Sequence, residues 1–220
     1  MGKSQSKNLI NPKFSSFETN VFINCPFDKD YYIPLLRPLL FTIIYLGFKP
    51  RIAAENFDSG ELRFQKIIDL ILNSKYSIHD LSRIKSKKKN ELFRLNMSFE
   101  LGIDIGCRLF NNADYKDKKC LILEKDPYRI KGALSDMAGS DIKSHNNEPE
   151  KLVLAVRNWF VENGLREAPN ATKIWESFND FMLDFYQKRK VEGCKNQDLE
   201  MMPIPEYIYF IEGWLFPKNS

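Results

Sequence analysis

No stretch of the sequence approaches the ~18 consecutive apolar residues that a membrane-crossing helix requires, and no apolar signal region opens it. A soluble, cytoplasmic protein with no membrane partner is therefore expected. Histidine is scarce: His79 and His145 are the only two, too few for a histidine-rich metal centre. The four cysteines, Cys25, Cys107, Cys120 and Cys194, contain no C-x-x-C pair. That argues against structural zinc and against a disulfide framework, and fits free thiols in a reducing compartment. No bound metal and no resident cofactor are expected.

Glycine-rich phosphate loops are also missing. Neither G-x-x-x-x-G-K-[ST] nor G-x-G-x-x-G occurs, which removes the ordinary ATPase and dehydrogenase readings. Charge of one sign is not concentrated either: 33 Lys and Arg against 29 Asp and Glu leave a net +4. Nucleic-acid modules gather basic residues on one face, so nucleic acid is not an expected partner. The densest basic run is Arg83, Lys85, Lys87, Lys88 and Lys89. It reads either as a solvated loop or as a lip that attracts a phosphorylated ligand.

What is present is an alternation of short β-rich runs and helical runs. Val21 to Asn24 reads as a first strand, Phe48 to Ala54 as a second and Tyr76 to Asp80 as a third. Cys120 to Leu123 is the fourth, and Ile142 lies in a weaker fifth. Helices are predicted over about Tyr31 to Leu46, where Pro34 and Pro38 are awkward, then after Asp58-Ser59-Gly60, over Asn96 to Leu109, and over Pro149 to Asn163. Gly47 reads as a C-terminal helix stop. Strand–helix alternation implies a parallel sheet covered on both faces. The expectation is an α/β protein with a five-stranded flavodoxin-like sheet, 20–164, preceded by a mobile leader, 1–19. A helical C-terminal extension, 165–220, follows, with an aromatic-rich helix over Lys173 to Lys190 and a further aromatic segment, Tyr207 to Phe216. That extension either packs on the sheet domain or offers an interface, including one for a homo-oligomer.

Ligands of such sheets bind outside the carboxyl ends of the strands. Asn24 and Asp28 follow the first strand, Glu55 and Asp58 the second, and His79, Asp80 and Ser82 close the third. Glu100 lies one turn into the next helix, with Gly102 and Gly106 leaving one helix face nearly bare, to press on a strand or admit a ligand. Asn96 is placed to cap that helix, and helix starts favour anions. His79 is read either as a catalytic group or as a hydrogen-bonded core histidine.

The run Asn96-Met97-Ser98-Phe99-Glu100-Leu101-Gly102-Ile103-Asp104-Ile105-Gly106 resembles the N-x-x-F-E-L-G-x-x-x-G motif of bacterial TIR-like nucleotide-binding domains, which belong with nucleoside 2-deoxyribosyltransferase-like folds. Val21-Phe22-Ile23-Asn24-Cys25-Pro26-Phe27 is similar to the strand-Pro-Phe opening of the transferases. Met97-Ser98 stand where those transferases carry Gly-Thr, which sets the chain apart from them. The resemblance implies cleavage of an N-glycosidic bond, with NAD as a consumed substrate and a role in antiphage defence. It places the catalytic carboxylate at Glu100. Asp80 is added as a second catalytic group on position alone. Asn24, Asp28, Asp58, His79, Ser82, Arg83 and Asn96 are the expected substrate-binding residues. The competing readings are a non-enzymatic nucleotide sensor, an assembly module and a nucleoside deoxyribosyltransferase.

Overall fold

The computed structural model describes residues 17–83, 95–111, 113–128, 134–137 and 139–217. Five strands form one all-parallel sheet in the order β2-β1-β3-β4-β5: β1 (Asn20–Asn24), β2 (Lys49–Ile52), β3 (Tyr76–Asp80), β4 (Lys119–Glu124) and β5 (Ile142–Ser144). This is the expected flavodoxin-like α/β arrangement with a helical C-terminal part. No helix among the described residues is long and apolar enough to cross a membrane.

The interior strand β1 is buried along its whole length, as both faces of a parallel sheet are covered. On one face lie α3 (Arg63–Leu72) and α4 (Asn96–Phe110). They close small apolar clusters around Phe22, Ile67 and Ile71, and around Leu81, Met97 and Leu101. The opposite face carries the main core, built on α2 (Arg37–Tyr45) and α5 (Pro149–Glu162).

Helix α2 has no polar face: every residue from Arg37 to Ile44 is buried. A helix that is apolar all round needs cover on its outer side as well. The tail supplies it. Helices α6 (Ala171–Val191) and α8 (Ile204–Leu215) pack over α2, with the short α7 (Asn196–Glu200) between them. Phe41 stacks on Phe181 at 5.5 Å and meets Phe178 and Trp214. Phe181, Phe185, Tyr207 and Ile211 belong to the same buried cluster as β1 and α2. The Arg37 side chain is fully buried at this join. It donates to the Leu199 carbonyl and lies over the rings of Tyr32 and Tyr207 at 5.1 and 4.9 Å.

The helix expected over Tyr31 to Leu46 is divided. A short α1 (Lys29–Tyr31) leads into a π-helical turn, Tyr32–Leu36, and then into α2. The wider turn takes Pro34 inside it, and the Arg37 amide bonds back to the Tyr32 carbonyl. Gly47 ends the unit with φ +85°, a conformation that suits glycine. The predicted leader, 1–19, lies outside the described residues up to position 16. Residues 17–19 form a 3₁₀ turn fixed to β3: the Lys75 amide donates to the Phe17 carbonyl, and the Lys75 ammonium pairs with Glu18 at 2.6 Å.

Candidate functional site

The strand order reverses between β1 and β3, so the crevice of this sheet opens at Asn24 and His79, which are register partners. The Asn24 amide donates to the Met97 carbonyl at 2.9 Å and to His79 Nδ1 at 3.1 Å. It thereby pins the first turn of α4 to the end of β1. His79 Nε2 faces Asp104 Oδ2 at 3.1 Å. His79 is 0% exposed. Of its two readings, the geometry matches the hydrogen-bonded core histidine.

Asp104 is in turn surrounded. The Ser77 hydroxyl donates to it, and the Lys118 ammonium lies 3.1 Å from Oδ1. Lys118 also donates to the carbonyls of Ile71, at 2.8 Å, and Ser74, at the C-terminus of α3. Burial pushes the Asp104 carboxyl upward, but the bonds and charges of His79, Lys118 and Ser77 outweigh it and hold the group at about 2. His79, Asp104 and Cys120 lie close enough together to ligate an ion. Lys118 already supplies the cation there, and burial has pushed the Cys120 thiol up to about 12, so a metal would have to displace one proton and one ammonium. These residues are better suited to a buried ion-pair network than to a metal centre.

A second cluster closes the other side of the crevice. Asp80 accepts from Tyr31 Oη at 2.5 Å, from His145 Nε2 at 2.9 Å and from the Ser82 amide at 2.9 Å. Ser82 Oγ lies 3.0 Å from the same His145 nitrogen, and His145 Nδ1 accepts from the Asn147 amide at 3.1 Å. Ser82 and Asp80 thus meet at one nitrogen, whereas a serine nucleophile relay needs them on opposite nitrogens. Burial raises the Asp80 carboxyl, yet His145, Ser82 and Tyr31 together bring it below the ordinary value. Asp80 is 0% exposed with both oxygens engaged. Its geometry fits it to tie together the ends of β3, β5 and α1, and gives it no reach to a ligand.

Glu100 is placed differently. It stands one helical turn before Asp104 on α4, half-buried, at the carboxyl edge of the sheet. Burial raises its carboxyl above the usual range, against the opposing charges of Arg63 and His79. The carboxylates of Asp80, Glu100 and Asp28 also add to burial in raising the Cys25 thiol. These groups therefore share one electrostatic neighbourhood at the mouth of the crevice. Cys25 is buried and held protonated, which makes it a poor nucleophile.

The remaining expected residues are dispersed. Arg83 pairs with Asp28 at 3.0 Å, linking the loops after β3 and β1. Asp58 accepts the Gly60 amide at 2.8 Å in an exposed turn, and Glu55 pairs with Arg51 at 2.7 Å. Asn96 is not the cap of α4: Leu95 occupies that position, without a side-chain bond, and Asn96 is an exposed first helical residue. Lys85, Lys87, Lys88 and Lys89 lie outside the described residues. Among the described residues, a Cβ built at Gly102 meets no atom within 4 Å, so none of them presses on this bare face. Tyr31, His145 and Lys118 were not expected in the network. His145 follows β5 as Asp80 ends β3, and this shared strand-end position was the available signal.

No family model, curated protein or solved structure matches the chain.

Proposed function

We propose that the protein cleaves the N-glycosidic bond of NAD or a related nucleotide, with Glu100 as the group that meets the developing sugar cation. The observation that carries this reading is the half-buried Glu100 carboxylate, raised by burial, at the point where the strand order reverses. A carboxylate of raised proton affinity is a better base and nucleophile, and partial exclusion of water strengthens its attraction for an oxocarbenium-like centre. The resemblance of residues 96–106 to the TIR-like motif supports the same assignment and implies a role in antiphage defence.

The surroundings favour a cationic base as leaving group. Asp80 is buried with both oxygens hydrogen-bonded, Asp104 is buried between His79 and the Lys118 ammonium, and Asp28 is paired with Arg83. None of these three carboxyls is placed to protonate a departing base. A pyridinium such as nicotinamide in NAD needs none, because the electrons of the broken C–N bond neutralise its own charge. Water supplies the hydroxyl to the sugar carbon, and one proton is released. Purine and pyrimidine nucleosides, whose bases leave best when protonated, suit the site less well.

The test is release of free nicotinamide from NAD, followed by chromatography, for the wild type and for Glu100→Gln. Wild-type release that disappears in the variant is the expected result. Equal release by both removes Glu100 from the mechanism. No release from NAD by the folded wild type removes the hydrolase reading.

A further inference from the structure

Two aromatic rings sit beside Glu100 that no contact in the core requires. Phe64, in the first turn of α3, and Phe99, in the first turn of α4, stack on one another with centroids 5.8 Å apart and planes inclined by 22°. They remain 50% and 59% exposed. In a parallel α/β sheet, helices that follow strands begin at the carboxyl edge, so both rings stand where the crevice opens. Each ring is next in sequence to a charged group of the site: Arg63 precedes Phe64, and Glu100 follows Phe99. Arg63 is near enough for its charge to act on Glu100. A guanidinium, two near-parallel rings and a carboxylate thus occupy facing turns of adjacent helices.

We propose that Phe64 and Phe99 form a stacking platform for the planar base of the ligand, with Arg63 binding its phosphate. This rests on the reading of Glu100 given above and adds the part of the substrate that the pair recognises. Near-parallel rings extend naturally to a third planar ring, and stacking on an aromatic side chain tolerates any heteroaromatic base. A pyridinium gains further from the ring faces and from the Glu100 carboxylate, through cation–π attraction and opposite charge. A second copy of the chain is a poorer occupant. Docking protein over the rings would strip water from Arg63 and Glu100 and leave those charges needing new partners. A small ligand supplies the partners itself, phosphate for one and a cationic ring for the other.

The experiment uses equilibrium binding of NAD, by calorimetry, to Glu100→Gln protein, so that cleavage does not interfere. Phe99→Leu and Phe64→Leu keep an apolar side chain and remove the ring. Phe99→Tyr keeps the ring. Ribose 5-phosphate, which has no base, is the control probe, and urea unfolding checks that each variant is folded. The expected result is NAD affinity lowered roughly tenfold by each leucine variant and retained by tyrosine, with ribose 5-phosphate unaffected. Arg63→Gln should weaken both probes. Equal NAD affinity in wild-type and leucine backgrounds overturns the platform, even if wild-type protein releases nicotinamide. Ring-dependent NAD binding without any release upholds the platform and removes only the hydrolase reading. Leucine variants that change a dimer into a monomer by light scattering, with NAD affinity unchanged, assign the rings to a contact between copies and overturn the proposal. Absence of NAD binding by the folded protein overturns it as well.

Discussion

His79 and Asp104 face each other across 3.1 Å in the buried space between β3 and α4, and Asp104 stands one turn behind Glu100 on the same helix. The candidate catalytic turn is therefore held from below by a charged network that runs from Lys118 through Asp104 and His79 to Asn24.

That network makes stability depend on acid. The Asp104 carboxyl is lowered from 3.8 to about 2, so its contribution is complete above 3.8 and is lost as pH falls through about 2. A shift of this size corresponds to roughly 2 kcal/mol. Asp80, also lowered, acts in the same direction. Urea unfolding followed from pH 5 to about pH 2 should show a falling limb that is shallower in Asp104→Asn. At neutral pH the same variant should cost about 3–5 kcal/mol, since Lys118 is left as a buried charge with no counter-ion. An unchanged acid limb would show that Asp104 is not held in its ionised form.

Glu100 carries the opposite sign. Its carboxyl is raised on folding, so the ionised form opposes the folded state at every pH above its folded value, and the penalty vanishes below its unfolded value. Glu100→Gln removes that penalty. Thermal unfolding at pH 7 should show the variant at least as stable as the wild type. A marked loss of stability would make Glu100 a structural residue.

Gly102 tests whether the bare face of α4 has a structural purpose. Among the described residues a methyl group there meets nothing within 4 Å, and alanine is favoured over glycine inside a helix by about 0.8–1.0 kcal/mol. Gly102→Ala should raise the melting temperature by about 2–4 °C. A lower melting temperature would reveal a close approach to that face in the folded protein.

Arg37 separates charge from volume at the join with the tail. It is buried among Tyr32, Tyr207 and the Leu199 carbonyl, and its Nε has no hydrogen-bond partner. Arg37→Ala should cost about 2–5 kcal/mol by opening a cavity, while Arg37→Met should recover most of it, because a buried cation is itself expensive. Equal losses in both variants, measured by urea unfolding, would show that the charge and not the volume holds the tail.

The sheet was legible because strand signals were local. Tyr76–Asp80 reads directly as β3, and the Ile142 strand and the Asn96 helix begin where expected. The strand order followed from the alternation of strands and helices. The π-helical turn was not legible, since Pro34 fits a kink as well as a widened turn. Nor was the partnership of Tyr31, Asp80 and His145, whose members are 49 and 65 residues apart and carry no periodic signal. Lys118 reads as a surface charge in sequence; only the α3 C-terminus above it and Asp104 beside it make burial tolerable. Glu100 was legible through its motif, whereas the ring beneath Phe99 comes from α3 and could be found only once the helices were placed.

The covering of α2 by the tail sets an order of events during synthesis. Arg37 and its Leu199 acceptor are 162 residues apart. At about 5–20 residues per second, a ribosome takes roughly 8–30 s to travel between them. For most of that interval, until α6 has been made, the outer face of α2, with Phe41 at its centre, lacks its partners Phe178 and Phe181. The nascent chain must either hold this helix loosely against early strands or hand it to a chaperone, and its final docking waits for α6 and α8 to emerge.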